Sequence, residues 1–287
     1  MRRSAATMKK HASTIILVIV LVAGIALLLY PTVSNYLNQI NASQAIANYD
    51  EAVNGLTDEQ MADLLAQAAS YNADLAADSS QTFQDGDPVD ERYRSLLDVS
   101  GNGVIGYVTI RKLGVKLPIY HGTSSQVLVS AAGHLEGSSL PVGGTSTHAV
   151  ITGHRGLPSA KLFTDLDRMD VGDTFTITVL NETLTYRVDL ISIVDPDQTE
   201  KLEIVPDEDH VTLLTCTPYG VNTQRLLVRA VRTDAETVID VPADATLVDP
   251  TIVAPILAVP LLLILLVLLL TRTRSRSRVA KTGAGTR

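Results

Sequence analysis

The sequence predicts a mainly β chain, a closed or partly closed β-barrel with short helices. A helical extension precedes the barrel, and terminal transmembrane helices bracket both. Three observations predict this. Two uncharged apolar runs, 15–30 and 252–270, lie near the ends. Short segments rich in Val, Ile, Thr and Leu recur between 103 and 233, punctuated by turn formers. The charges between each apolar run and its nearer chain end are all basic.

The chain opens with a basic tail, 1–11, carrying Arg2, Arg3, Lys9 and Lys10 and no acid. The first run, with its mild flanks, fills 12–31 and reaches the ~20 residues needed to span hydrocarbon. It reads as a signal-anchor. A cleaved signal peptide is the alternative, although no small-residue cleavage site is evident in 28–33. The second span, 251–271, contains Pro255 and Pro260, which membrane helices tolerate. A second basic tail follows at 272–287, with Arg272, Arg274, Arg276, Arg278, Lys281 and Arg287 and again no acid. Positive flanks stay cytoplasmic, so both termini are expected in the cytoplasm and everything between the spans outside.

The charge is split accordingly. Ten of the 23 basic residues lie in the tails and all 31 acidic residues between them, so the external region carries −18. Nucleic acid is excluded as a partner, because phosphates need basic patches. Only one Cys is present, so no internal disulfide can form, and a lone external Cys points to intermolecular pairing or a reactive thiol. One Cys and scattered His lack metal-ligand spacing, so no metal is expected.

Residues 32–102 form the N-terminal region. Helix is expected from 35 to 76, with Thr57 and Gln60 as a capping box and Met61, Leu64, Leu65 and Ala68 at helical spacing. From 77 to 100 turn formers dominate, and a connection this long suits a lid or linker. The barrel, 103–233, is read as strands over 104–110, 115–120, 148–152, 174–180, 183–194, 211–216 and 226–231, with a hairpin turn near Asn181-Glu182. Residues 234–250 form a polar linker.

Cys216 ends one of these strands and Arg225 begins the next. If the two pair antiparallel, thiol and guanidinium meet at one mouth of the barrel. A thiol needs its thiolate form to attack, and a fixed cation stabilises that form. Arg also offers a planar fork of donors to a carbonyl or developing oxyanion. His154, after Thr152-Gly153, can shuttle the proton.

The local sequences carry a resemblance. Thr212-Leu213-Leu214-Thr215-Cys216 resembles the TLxTC signature of sortases. The continuation from Thr217-Pro218-Tyr219-Gly220 to Arg225-Leu226-Leu227-Val228-Arg229 is similar to that of class C, pilus-assembling members. So is 151–158, the histidine segment, and 133–144 before it. The resemblance implies an antiparallel sortase-like barrel, His154, Cys216 and Arg225 as the catalytic set, and no cofactor. Thr215 and Tyr219 flank the nucleophile as cleft candidates. His134 lies in the preceding segment and is given no catalytic role.

The implied reaction is transpeptidation. Cys216 cleaves an LPxTG-like sorting signal between Thr and Gly through a thioester, and a Lys amine of another pilin subunit resolves it. Class C members also carry a lid with an Asp-Pro-aromatic anchor. Asp87-Pro88-Val89 occupies the corresponding place with Val for the aromatic, so a looser lid is expected, with Asp87 able to pair with Arg225. Two alternatives stay open: a sortase that anchors proteins to the cell wall through a peptidoglycan-precursor amine, and a noncatalytic membrane-tethered binding module.

Overall fold

The computed structural model describes residues 2–78, 81–234, 258–262 and 264. Two compact units emerge: 1–34 with 244–287, and 35–243. Helix α1 (Arg2–Asn54) begins the chain. Its 16–54 portion is, among the described residues, the one helix long and apolar enough to cross a membrane, which supports an N-terminal anchor. In the second apolar run, 258–262 and 264 are helical. The rest of the expected second span, the linker from 235 and the basic tail lie outside the described residues.

In the second unit, α1 ends at Asn54, and the chain turns through Gly55 and Leu56 before α2 (Asp58–Ala77). The expected single helical stretch is therefore two helices. The break follows from local chemistry: Thr57 accepts from the backbone N–H of Gln60, whose side chain accepts from Thr57 N–H. This capping box satisfies two orphan donors and starts a new helix. α1 packs on the barrel core through Tyr49 and Val53. The buried Tyr49 hydroxyl donates to Ile105 O (3.1 Å) and accepts from Leu180 N–H (2.8 Å). Burial pushes its pKa up to about 12.

Eight strands close the barrel: β1 (Val104–Ile110), β2 (Val115–His121), β3 (Ala132–His134), β4 (Thr147–Thr152), β5 (Thr174–Val179), β6 (Glu182–Val194), β7 (Asp209–Thr217) and β8 (Gln224–Arg232). Short helices α3 (Glu91–Ser95) and α4 (Ser125–Leu128) lie outside the sheet, before β1 and between β2 and β3. The order around the barrel is β1-β2-β3-β4-β7-β8-β6-β5.

All seven expected strands are present; β3 is the addition, three residues too short to show a period. The barrel is mixed rather than wholly antiparallel, since β2/β3 and β4/β7 pair in parallel. The β5–β6 hairpin is inserted between β4 and β7, so β7 returns beside β4 by a crossover. A crossover joins parallel neighbours. Leu180 turns the β5–β6 hairpin with φ 50°, one residue before the expected Asn181-Glu182. The barrel core is filled by Ile105, Val108, Ile119, Phe163, Phe175, Tyr186 and their neighbours.

Candidate active site

Strand alternation builds the site. On β7, Val211 and Leu213 pack in the main core. Thr212, Leu214 and Cys216 therefore occupy the opposite face. Across the ladder, Leu214 faces Leu227 and Cys216 faces Arg225. The expected antiparallel pairing of β7 and β8 is thus observed, and it puts thiol and guanidinium side by side. On the other flank Thr152 of β4 is opposite Leu214, which leaves His154 just beyond the strand end.

Three bonds fix that end. Gly153 N–H donates to Leu214 O (3.0 Å), Thr215 Oγ1 to Gly153 O (2.7 Å), and Phe163 N–H to His154 O (3.1 Å). Gly153 is required here, since a Cβ would come within 2.6 Å of the Phe163 ring. Thr215 is thus a buried brace as well as a cleft residue.

Cys216, His154 and Arg225 line one cleft of about 310 Å³. Its floor is apolar: Leu135, Val194, Leu202 and Leu227 form a second small core with Val150, against which Phe83 and Leu214 pack. All three chemical residues are partly exposed. Burial lowers the His154 pKa, partly opposed by the Asp85 carboxylate, so a neutral imidazole prevails at neutral pH. Such a set can hold a thiolate, move one proton and bind an oxyanion.

The covering segment is displaced from its expected residues. Phe83 and Asp85, not Asp87, Pro88 and Val89, line the cleft. Val89 is 69% exposed. Pro88 packs so closely on Gly122 that a Cβ there would lie 2.6 Å from its Cδ. Among the described residues Asp87 makes no ion pair with Arg225. The reason is the anchoring: Glu136, only 5% exposed, accepts from the backbone N–H groups of Val89 (2.9 Å) and Asp90 (2.8 Å), pulling 88–90 off the cleft. Thr123 receives 85–86: its hydroxyl donates to Asp85 and accepts from Gly86 N–H, and its own backbone N–H donates to Gly86 O. Gln84 N–H donates to Glu136 O (2.9 Å). The segment is tied by hydrogen bonds to Glu136 and Thr123.

Tyr219 is the other displaced candidate. It is 61% exposed, absent from the cleft lining, and lies under the Arg155 guanidinium. His134, given no catalytic role, is fully buried. Its Nε2–H donates to Ser139 O (2.7 Å), leaving Nδ1 to accept from Tyr93 Oη (2.8 Å). Burial holds its pKa at about 4.

Sequence reading missed Phe83, Asp85 and Glu136. An aromatic among turn formers was the available signal for Phe83. Nothing local marks Glu136, because its role depends on a segment 47 residues away.

A thiol, an imidazole and a guanidinium at the mouth of a small β-barrel are the groups that a cysteine acyl transfer would use. Comparison with known proteins narrows the class. The Sortase domain family matches residues 108–233. The structure of sortase C1 from Streptococcus agalactiae is 45% identical, with TM-score 0.62, covering 67% of this chain and 100% of that one. Clostridium perfringens sortase C, solved with the C-terminal cell wall sorting motif, is 43% identical with TM-score 0.58, covering 68% and 100%. Sortase A of Streptococcus agalactiae serotype III is 31% identical over 130 residues, 44% of this chain. The chain spans about half the length of the curated relatives it matches, 52% and 55%. The chain belongs to the sortase family, a family of cysteine transpeptidases, and these structural neighbours are sortases C.

Proposed function

We propose that the protein is a membrane-anchored, extracytoplasmic class C sortase that polymerises pilin subunits, with Cys216, His154 and Arg225 as its catalytic residues. The observation that carries the transpeptidase chemistry is the Cys216–Arg225 register at a cleft shared with His154, and the sortase C structural neighbours favour the pilus class over cell-wall anchoring. Cys216 passes its thiol proton to the neutral His154, and the resulting thiolate attacks the Thr carbonyl carbon of an LPxTG-like signal. Arg225 donates to the developing oxyanion. The C–N bond to Gly breaks, and the leaving amine takes a proton from His154, giving a thioester. A pilin Lys amine then attacks the same carbon, yields a proton to His154 and expels the thiolate, leaving an isopeptide bond. The apolar floor suits the Leu and Pro of the signal.

Phe83 and Asp85, rather than Asp87-Pro88-Val89, are the cover's contacts with the cleft. Both basic tails are cytoplasmic, and substrates held on the same membrane gain effective concentration. The test incubates the detergent-solubilised full chain with a sorting-signal pilin and follows intact mass, with Cys216→Ala beside it. A Cys216-dependent thioester resolved into Lys-linked pilin oligomers supports the reading. Resolution only onto peptidoglycan-type amines replaces it with cell-wall anchoring. No adduct on a folded protein leaves a binding module.

A further inference from the structure

Arg155 follows His154 directly, and its side chain is only 9% exposed although no role in the chemistry has been given to it. Nη1 donates to Thr217 Oγ1 (3.2 Å), Nη2 to Asp167 Oδ2 (2.5 Å), and the Tyr219 ring lies 5.9 Å from the guanidinium carbon. Thr217 is the residue after Cys216, and Tyr219 lies in the loop that joins Cys216 to Arg225. One guanidinium therefore ties the loop after His154 to the end of β7 and the loop that joins Cys216 to Arg225. The remaining wall of this junction is Gly156, where a Cβ would stand 3.1 Å from the Tyr219 ring.

A buried cation is costly, and one carboxylate that is 47% exposed compensates it incompletely. Its Nε is also buried with no hydrogen-bond partner among the described residues. A side chain kept for stability alone would do better as an apolar residue of like volume. What Arg offers is a planar fork reaching two elements at once, which Lys cannot supply. The imidazole follows β4, and the thiol sits on β7. Their backbones are already braced at Gly153 and Thr215, but the brace lies before both functional residues. Arg155 closes the other side, after both.

We infer that Arg155 is a positioning residue, fixing His154 against Cys216 and Arg225 by clamping Thr217 and Tyr219. The inference rests on the proposed transpeptidase reading for its kinetic effect and on geometry alone for its structural one. Misplacement by ~1 Å can cost on the order of 10²-fold in rate.

The test uses the detergent-solubilised full chain with Arg155→Lys, Thr217→Val and the double variant. Thioester formation on a sorting-signal peptide is expected to fall ~10–100-fold in kcat for Arg155→Lys, with KM within about twofold. Cys216 labelling by a methanethiosulfonate is expected to stay within about threefold, since access to the thiol is untouched. The double variant is expected to be no slower than Arg155→Lys, because both changes break one link. If Arg155→Lys does not fold, Thr217→Val carries the test with an expected loss of about 3–10-fold, near the worth of one hydrogen bond. A wild-type kcat in a folded variant overturns the inference, and so does a kcat loss matched by an equal loss of labelling. A crystal structure of Arg155→Lys reads the geometry without substrate: a displaced His154 or 217–220 loop supports the inference, and an unmoved site overturns it. If the unsubstituted protein forms no thioester, the proposed function fails, and this structural arm alone decides the role of Arg155.

Discussion

The catalytic wall and the segment that covers it are built by different means. Cys216 and Arg225 are placed by strand register between β7 and β8, a ladder of backbone bonds in which a one-residue slip of β8 would turn Arg225 to the face away from Cys216. The cover, 81–90, contributes one isolated bridge, Gln84 to Glu136, and one further backbone bond, from Thr123 N–H to Gly86 O, and hangs for the rest on the side chains of Glu136, Thr123 and Gln81. Gln81 Nε2 donates to Gly137 O (2.9 Å), while its Oε1 accepts from Ile204 N–H (3.2 Å), joining the cover to the β6–β7 connection. A register cannot be loosened one bond at a time, whereas a segment held by separate side chains can detach while the barrel stays folded. Placement of the chemistry and access to it are therefore separable.

The sharpest test of that contrast lies on the wall. Cys216→Ala is expected to abolish the thioester, and Arg225→Lys to lower the rate of its formation ~10²–10³-fold, as loss of an oxyanion donor does elsewhere. The thermal midpoint is expected to hold in both. Full activity in the Arg225→Lys variant would mean that charge alone, not the fork, is used.

Acid should strain both regions together. His134 sits on β3 beside Tyr93, two residues before the cover's anchor Glu136, and His148 sits on β4 next to β7, donating from Nδ1 to Glu203 O (2.8 Å) and accepting at Nε2 from Thr212 Oγ1 (2.8 Å). Burial holds both pKa values at about 4, below the ordinary ~6.5 of an unfolded chain. Between those values the unfolded chain binds more protons, so their contribution is complete above about pH 6.5 and is lost as pH falls toward 4. Each costs up to ~1.4 kcal/mol per pH unit across that window. Urea unfolding from pH 7 to 4.5 measures the loss. Hydrogen exchange at pH 5 shows which region opens first, and the cover is expected to precede the wall.

Releasing the cover alone is a smaller change. Glu136→Gln leaves one of the two backbone donors of Val89 and Asp90 without an acceptor oxygen, at about 1–3 kcal/mol locally. Several-fold faster labelling of Cys216 and new proteolytic cleavage within 81–90 are expected, with the barrel's unfolding little altered. Unchanged labelling would show that the cover does not limit access. Smallest of all, Val89→Ala is expected to shift stability by no more than ~0.5 kcal/mol and to leave labelling unchanged, because the side chain touches neither cleft nor core. A marked effect would restore Val89 to the cleft.

Periodicity and turn chemistry disclosed most of the barrel: seven strands, the capping box and the adjacency of Cys216 to Arg225 followed from patterns within a few residues of each other. β3 escaped because three residues show no period, and the parallel β4/β7 pair because nothing local says where a strand returns after a hairpin. His154 could be named but not placed; its position depends on Phe163, Leu214 and Thr215. The cover shows the same boundary. Asp-Pro at 87–88 looked like the anchor because the sequence displays residue types, whereas the anchoring is done by Glu136, whose carboxylate finds two backbone donors only in the folded chain.

What the sequence by itself determined is chemistry and period: a single thiol, a fixed cation one loop away, an imidazole in a Gly-His turn, and alternation that closes a mainly β domain. What only the tertiary structure decided is which of the nearby groups face the cleft. Phe83 and Asp85 took the places expected of Val89 and Asp87, Tyr219 was turned onto Arg155, and the Arg155 side chain was folded in against Thr217 and Tyr219. The physical reason is that period and propensity act between near neighbours, whereas burial and hydrogen-bond satisfaction are settled between segments that meet only when the barrel closes.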